Sequence, residues 1–242
     1  MRIGQFRGIR QLWVMAWFAC YLSPTWAMVV NPIRVELAPN QPSQTVTVTN
    51  DSDRPLSVQL ETFDWNGWDT TKKAMQLSPS DVLIANPPAF QLAPKEVQLI
   101  RVGLMDAPQG DVQHAYRLFI RELPSLEPKK GATINILVHF SVPVFYTPAA
   151  ASMEAKLVWR SERQKDGLFR VMVTNEGKSA VRLIDVKPTE GALKISAVGD
   201  HNGYVLAGQT LAWLVNAHVG QTLNFRLQQG DGQWTTTHVE VH

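Results

Sequence analysis

Apolar and polar residues alternate with a period of two along much of the chain. Residues 44–50, 56–65, 96–104 and 116–123 follow this pattern, and turns rich in proline, glycine, asparagine and aspartate separate them. Such alternation is typical of β-strands that bury one face. No window of eleven or more residues has a helical stripe. Many short strands joined by such turns predict a β-sandwich.

The alternating pattern begins again after the segment FYTPAAA at residues 145–151. Pro148 and the alanines that follow it could form a short hinge. Six further strand candidates follow, at residues 154–162, 167–177, 180–188, 192–198, 210–216 and 222–230. The sequence therefore predicts an all-β protein with two sandwich domains, at residues 28–148 and 152–242.

Residues 1–27 have the organisation of a secretory signal peptide. Three arginines precede an apolar run at residues 12–22, and Thr25-Trp26-Ala27 approximates a small-x-small cleavage site. The run is shorter than the ~20 residues that a membrane-spanning helix needs. We expect cleavage after Ala27 and no membrane insertion of the mature protein. The alternatives are an uncleaved anchor and a lipoprotein that is modified at Cys20, although the residues before Cys20 make a poor lipobox.

Cysteine content and charge also depend on this N-terminal segment. Cys20 is the only cysteine, so the mature chain has no disulfide and must be stabilised by its core. Loss of the three arginines and of no acid takes the formal charge from +2 to −1. The charge therefore gives no support for a nucleic-acid partner.

Motifs for catalysis or metal binding do not occur in the sequence. The six histidines form no HxH or HExxH pattern, and neither a GxSxG elbow nor a phosphate-binding glycine loop is present. We expect no enzyme activity, no metal and no cofactor. In FDWNGW, residues 63–68, Trp65 and Trp68 could stack on a sugar. Alternatively, they mark the end of a strand before a hairpin turn at Asn66-Gly67.

One segment, INILVHFSVPVFYTPAA at residues 134–150, presents an unusual apolar row. Ile134, Ile136, Val138 and Phe140 share one parity, whereas Leu137 lies on the other parity among polar residues. Either face could be the inner one. If Leu137 faces the core, the large apolar row points outward.

Four segments together resemble PapD-like periplasmic chaperones of the chaperone–usher pathway. The first, residues 31–65, has an arginine in a short strand and then a VxVxN motif. The others are LIANPPAFQLAPKEVQLIRVGL (83–104), YRLFIRELP (116–124) and the apolar segment at 134–150. They follow the family's order and cover nearly all of residues 30–150. The second domain resembles the family only as a shorter sandwich.

The resemblance implies a boomerang of two immunoglobulin-like β-sandwich domains. It also implies a non-catalytic periplasmic protein that binds pilus or fimbrial subunits, which lack their last strand. The chaperone would lend its own seventh strand and pass each subunit to an outer-membrane usher. The lent row would be Ile134, Ile136, Val138 and Phe140, in a contact where main-chain bonds give affinity and alternate side chains fill pockets.

The resemblance also assigns residues to a site for the subunit's C-terminal carboxylate. The family arginine corresponds to Arg34, but the accompanying lysine is replaced by Pro143 and the inter-domain arginine by Thr147. These departures are similar to those of divergent archaic or spore-coat-like pilus systems. Glu122 matches a family glutamate that would pair with the missing arginine, and Arg101 is the candidate partner here.

Other interpretations of the same residues remain open. The protein could be a surface-fibre subunit or adhesin, or a periplasmic carbohydrate-binding protein that uses Trp65 and Trp68. A subunit should carry a donor extension and lack its last strand, whereas both sandwiches here look complete. Arg34 could be a solvated residue on an edge strand. The row at 134–140 could be ordinary core, with the other parity outward.

Overall fold

The computed structural model describes residues 28–69, 72, 74–125, 136–149, 154–188, 195–196, 203–228 and 233–242. The predicted signal peptide at residues 1–27 and Ile134 lie outside this part of the chain. The described residues form strands, turns and irregular segments, and no helix that could cross a membrane occurs among them.

The first sandwich contains ten strands in two sheets. They are β1 (Val29–Asn31), β2 (Val35–Leu37), β3 (Ser43–Thr49), β4 (Leu56–Asp69), β5 (Ala74–Pro79), β6 (Leu83–Asn86), β7 (Ala89–Leu92), β8 (Val97–Leu104), β9 (His114–Leu123) and β10 (His139–Tyr146). One sheet has the order β1-β3-β8-β6. The other has the order β2-β10-β9-β4-β5, and β7 pairs with β4.

The described residues of the second sandwich form eight strands, also in two sheets. They are β11 (Leu157–Arg163), β12 (Phe169–Asn175), β13 (Val181–Pro188), β14 (Ile195–Ser196), β15 (Tyr204–Val205), β16 (Thr210–Val215), β17 (Thr222–Gln228) and β18 (Trp234–Glu240). Their orders are β11-β12-β16-β14 and β15-β13-β17-β18. Two immunoglobulin-like sandwiches confirm the predicted fold class. The boundary between residues 148 and 152 stays a prediction, because residues 150–153 lie outside the described part.

The core of the first sandwich follows the alternation in the sequence. Six residues of its central strands are fully buried, at 0% exposure: Val46, Val48, Ile100, Val102, Leu118 and Ile120. Burial of a side chain of this size contributes roughly 1.5–3 kcal/mol. The outward residues between them on β3 are threonines, which suit a half-buried pleated surface.

The predicted hairpin turn at Asn66-Gly67 is wrong. β4 continues through both residues, with a register shift between Trp65 and Trp68. Gly67 has a φ of 105°, and its open side faces the side chain of Gln209 in the second sandwich. The Nε2 of Gln209 donates to the Asn66 carbonyl at 3.1 Å. The Asn-Gly pair therefore forms an irregularity inside a strand, against which the other sandwich packs.

Further contacts join the two sandwiches through Gln113. The Gln113 N–H donates to the Lys178 carbonyl at 2.8 Å, and the Ala180 N–H donates to Gln113 Oε1 at 2.9 Å. Gln113 Nε2 also donates to Thr147 Oγ1 at 3.1 Å. Trp68 of β4 packs against the core of the second sandwich. Several polar and apolar contacts therefore fix one arrangement of the two domains.

Candidate functional site

The apolar face of β10 changes from buried to exposed along the strand. Its even-numbered residues from Val142 to Tyr146 lie in the core of the first sandwich. Val138 and Phe140 are half-buried against that core, whereas the Ile136 side chain is 75% exposed. One continuous face therefore begins inside the domain and runs out of it toward residue 136.

The alternative in which Leu137 faces the domain's core does not fit the regular part of this strand. The side chains that enter the core there are even-numbered, so the two-residue period assigns Leu137 to the other face. The row that is partly exposed and the row that fills the core are the same row. The interpretation of the row at 134–140 as ordinary core holds in part for Val138 and Phe140 but not for Ile136, and Ile134 lies outside the described residues.

The side of β10 that faces away from β9 is partly open. β2 pairs with it in parallel only at Val144–Tyr146. No strand in the described part of the chain covers His139–Pro143 on this side. An uncovered strand edge carries unpaired backbone groups and can accept another strand.

The hydrogen bonds to β9 identify which backbone groups point to the open side. The Glu122 N–H donates to the Val138 carbonyl at 3.1 Å, so even-numbered residues form the hydrogen-bonded pairs with β9. The N–H and carbonyl groups of His139 and Ser141 therefore point outward. Pro143 has the same parity, so its missing N–H removes no bond to β9.

Three aromatic rings meet where the two sandwiches face each other. Trp65 and Phe145 come from the first sandwich and Tyr204 from the second, and they form a buried cluster with Ala180 and Leu206. Tyr204 lies 5.4 Å from the Phe145 centroid and 5.7 Å from the Trp65 centroid. At these separations the rings are in direct contact, and together they line the cleft between the two domains.

Arg34 lies at one side of this aromatic cluster. Its guanidinium carbon is 4.7 Å from the Phe145 centroid, and its Nη1 donates to the Tyr204 hydroxyl at 3.4 Å. It also forms an ion pair with Glu36, in which Nε donates to Oε1 at 2.5 Å. Burial raises the pKa of the Glu36 carboxyl, and the charge of Arg34 acts against this rise. Arg34 is therefore a packed cleft residue, because its side chain is only 22% exposed.

Arg117 on β9 is a second cation in the cleft, which the sequence analysis missed. Its guanidinium carbon lies 3.7 Å from the Trp65 centroid and 5.9 Å from that of Tyr204. Nη1 makes a long hydrogen bond of 3.5 Å to the Ser141 carbonyl. Its buried Nε and Nη2 have no hydrogen-bond partner among the described residues. Burial lowers the pKa of Arg117 to about 10.

Arg117 lies next to the position at which the family resemblance would place a lysine. Arg117 is the cross-strand partner of Pro143 in the β9–β10 ladder. A buried guanidinium with unpaired donors is costly unless an anion approaches it. Arg34 and Arg117 lie over the same ring, at 5.6 and 5.9 Å from the Tyr204 centroid. The cleft thus offers two cations and unpaired N–H groups to an anionic ligand.

The predicted pairing of Glu122 with Arg101 is wrong. The Glu122 carboxylate is fully buried and pairs with Arg54, whose Nη2 donates to it at 2.6 Å. Arg101 is exposed and donates instead to Ser43 Oγ at 3.2 Å. Arg54 lies in the turn before β4, and β4 pairs directly with the C-terminal end of β9. Adjacent strands therefore bring the two charges together across a long sequence separation.

The two tryptophans proposed for sugar stacking do not present open faces. Trp65 is 5% exposed, and Arg117 lies over its ring. Its Nε1 donates to the Gly67 carbonyl at 3.1 Å. Trp68 is half-buried against the second sandwich. Both rings therefore serve the inter-domain contact.

The chain is similar to one known family of proteins over its first sandwich. Residues 27–152 match the family described as "Pili and flagellar-assembly chaperone, PapD N-terminal domain". None of the curated proteins matches the chain by sequence.

Solved structures share the fold at low sequence identity. A chain of the CsuC–CsuE chaperone–tip adhesion subunit pre-assembly complex, from archaic chaperone-usher Csu pili of Acinetobacter baumannii, has a TM-score of 0.67 at 18% identity, with 89% of this chain and 99% of that chain covered. The Salmonella enterica SafA pilin–SafB chaperone complex gives 0.64 at 16% identity, with 88% and 96% covered. The E. coli chaperone DraB gives 0.62 at 18%, with 88% and 98% covered.

The family match and these structures agree with the geometry of the first sandwich. The match covers more than half of the 242 residues and includes β1 to β10. Members of this family are chaperones and not enzymes. The protein therefore belongs to the PapD-like family of pilus-assembly chaperones.

Proposed function

We propose that the protein binds pilus or fimbrial subunits in the periplasm by lending them β10 and the residues before it. The observation that carries this proposal is the even-numbered face of β10, which leaves the domain's core and ends in the exposed Ile136 beside an open backbone edge. The similar structures include a chaperone with a tip adhesion subunit and a chaperone with a pilin, which supports the same type of partner here.

Side chains and backbone have different roles in this mode of binding. Ile136, together with Ile134 outside the described residues, would fill pockets in the subunit. Val138 and Phe140 would connect the subunit's core with the chaperone's core, because they already touch the latter. Each large apolar side chain that becomes fully buried contributes ~1.5–3 kcal/mol before ordering costs. The backbone groups of His139 and Ser141 would bond to the subunit strand that is added to the open edge.

The two cleft arginines would hold the subunit's C-terminal carboxylate. Arg34 is the residue to which the family resemblance assigns this role, and Arg117 supplies unpaired N–H donors opposite Pro143. A carboxylate can accept two bonds from a planar guanidinium. Anchoring the end of the subunit in the cleft would set its position along β10.

Two further steps follow from the same proposal. The subunit would pass to an outer-membrane usher, which would replace the lent strand. The site of action would be the periplasm, reached after cleavage of the signal peptide predicted at residues 1–27. No cofactor and no nucleic acid would take part.

Coexpression with pilus subunits tests the proposal. Any small β-rich secreted protein that a neighbouring gene encodes serves as the probe and is coexpressed with the tagged full chain. Ile136→Asp should abolish recovery of the complex, because a charge would enter an apolar pocket. Leu99→Asp is the matched control, since Leu99 is also exposed (61%) but lies on β8 in the other sheet. Equal recovery with both variants would reject strand lending by this segment.

A further inference from the structure

We propose that Glu122 is a positioning residue, which fixes the point where the lent segment leaves the sheet of its own domain. This inference rests on the proposed function and adds a residue to it. The last contact that β9 makes with the chain before β10 joins Glu122 to Val138, one residue before β10 begins.

The hydrogen bonds at this contact depart from those of a regular ladder. In a hydrogen-bonded antiparallel pair, two residues exchange both backbone bonds. Here the Glu122 N–H donates to the Val138 carbonyl at 3.1 Å, as expected. The Val138 N–H, however, donates to the side-chain Oε2 of Glu122 at 3.1 Å. The carboxylate thus takes the place of a backbone acceptor where the two strands separate.

The carboxylate itself is held by Arg54. Its other oxygen, Oε1, accepts from Arg54 Nη2 at 2.6 Å, and the Glu122 side chain is 0% exposed. Both oxygens are therefore used, one by a cation and one by the backbone of the lent segment. A buried carboxylate with two such donors has little freedom to move.

Hydrogen bonds within the turn at residues 50–54 hold the backbone of Arg54. Asn50 is fully buried, and its Nδ2 donates to the carbonyls of Arg54, Leu92 and Ala93 at 2.8, 3.2 and 2.9 Å. The Ser52 hydroxyl donates to Asn50 Oδ1 at 2.7 Å and to the Arg54 carbonyl at 3.0 Å. The turn that the sequence marks only as DSDRP therefore fixes the Arg54 backbone, from which the guanidinium reaches Glu122. Hydrogen bonds and an ion pair connect buried Asn50 to the Val138 amide.

The position of this contact matters because of the two-residue period of a strand. A slip of one residue on β9 would turn Ile136 and its even-numbered neighbours away from the partner. A segment whose register is already fixed loses less conformational entropy when it binds. Glu122 would thus keep the even-numbered face of the lent segment toward the subunit before any subunit arrives.

Amide hydrogen exchange of the free, mature full-length chain tests this role. Glu122→Met keeps the approximate volume but removes both acceptor oxygens. We expect the Val138 amide to exchange faster by about tenfold, with little change at the Val142 and Val144 amides, because only the contact at the strand's end is lost. Glu122→Gln keeps an acceptor oxygen and should restore part of the protection. Arg54→Met, which removes an accessible side chain, should give an intermediate result.

The matched control is Glu61→Met, which breaks a similar ion pair of the same sheet. Arg121 Nε donates to Glu61 Oε2 at 2.7 Å. Arg121 pairs with His139, next to Val138, but the Val138 N–H donates to Glu122 and not to this ion pair. Unchanged Val138 exchange in Glu122→Met, or equal acceleration at Val138, Val142 and Val144, would overturn the proposal. Should Glu122→Met fail to fold, Glu122→Gln and Arg54→Met give the same readout. Because exchange is measured without a subunit, its outcome is independent of the Ile136→Asp test of strand lending.

Discussion

Pro143 and Arg117 lie directly opposite each other in the ladder between β10 and β9. Pro143 stands where the family resemblance would place a lysine, and its cross-strand neighbour Arg117 is a cation. Arg117 stacks on Trp65 and keeps two buried nitrogens unpaired. The buried and partly unpaired guanidinium of Arg117 lowers the stability of the free protein. In the proposed function the same group strengthens the binding of a subunit.

Arg117→Met should stabilise the free protein and weaken its binding to subunits. Burial lowers the pKa of Arg117 to about 10, so stability rises with pH only above about 10, up to the ordinary pKa of arginine. At neutral pH the full cost of the buried charge is present. Its removal should raise stability by about 1–3 kcal/mol. Urea unfolding and subunit recovery measure the two effects. Arg121→Met, which breaks a partly exposed ion pair, is the control and should change neither stability nor subunit recovery. Loss of stability in Arg117→Met would contradict this explanation.

Arg34→Ala should prevent assembly of subunit complexes while the first sandwich stays folded. A charge-assisted hydrogen bond to a carboxylate in a desolvated cleft contributes several kcal/mol to binding. Circular dichroism and recovery of the subunit complex separate folding from binding. Normal recovery with this variant would assign the carboxylate to Arg117 alone.

Binding of a free C-terminal carboxylate should tighten as the pH falls from 7 toward the raised pKa of Glu36. Burial raises the pKa of Glu36, so Glu36 takes up a proton above the pH at which a terminal α-carboxyl does, near 3.3–3.7. Once Glu36 is neutral, Arg34 no longer has an ion-pair partner and can bind the carboxylate of the ligand. Titration calorimetry with a peptide copy of the subunit's C-terminus measures the change. In Glu36→Gln the affinity should be high across this pH range, and a peptide with an amidated end should show no dependence. An unchanged pH profile in Glu36→Gln would rule out competition for Arg34.

Burial decreases along the apolar face from β10 back to residue 136. The same substitution should therefore have different effects at Val138 and at Ile136. Val138→Asp should lower the melting temperature of the isolated protein, because Val138 packs against the core. Ile136→Asp should leave it nearly unchanged, because Ile136 is 75% exposed. Thermal melts without a partner compare the two. A large destabilisation by Ile136→Asp would mean that the segment is buried within its own domain.

Gly67→Ala should loosen the contact between the two sandwiches. A Cβ at this position would collide with the side chain of Gln209, and the φ of 105° disfavours any L side chain. The control is Gly110→Ala, since Gly110 has a φ of 124° but no atom within 4 Å of the added Cβ. Both changes carry a strain of about 1–3 kcal/mol, but only Gly67→Ala carries the collision. Limited proteolysis between the domains should therefore be faster in Gly67→Ala only. Equal rates would show that Gln209 moves aside freely.

Alternation alone was sufficient to predict β3, β4, β8 and β9, because each buries one face over most of its length. β18 was missed because its threonines and Trp234 do not alternate in hydrophobicity. The Asn-Gly signal of a turn failed because the second sandwich packs on Gly67, and that contact overrides the local preference.

The site was harder to predict than the fold. Arg117 sits between Tyr116 and Leu118, and a sequence gives no sign that an arginine on a strand is buried rather than solvated. Its environment depends on Tyr204, which belongs to the other sandwich. The partner of Glu122 was missed for a similar reason, since strand order and not sequence distance determines which cation reaches it. The role of the apolar row as a lent segment stays a prediction, and the two-residue period alone left open which of its faces enters the core.

Pro143 also sets a limit on any strand that joins the open edge of β10. Such a strand finds complete pairs of donor and acceptor at His139 and Ser141, but only a carbonyl at Pro143, and β2 occupies the edge immediately after it. Main-chain bonding to an added strand would therefore end at Pro143 whatever the partner. In the proposed mode of binding, the length of the shared ladder would be set by how many residues precede this proline, and a longer tail would have to turn into the cleft.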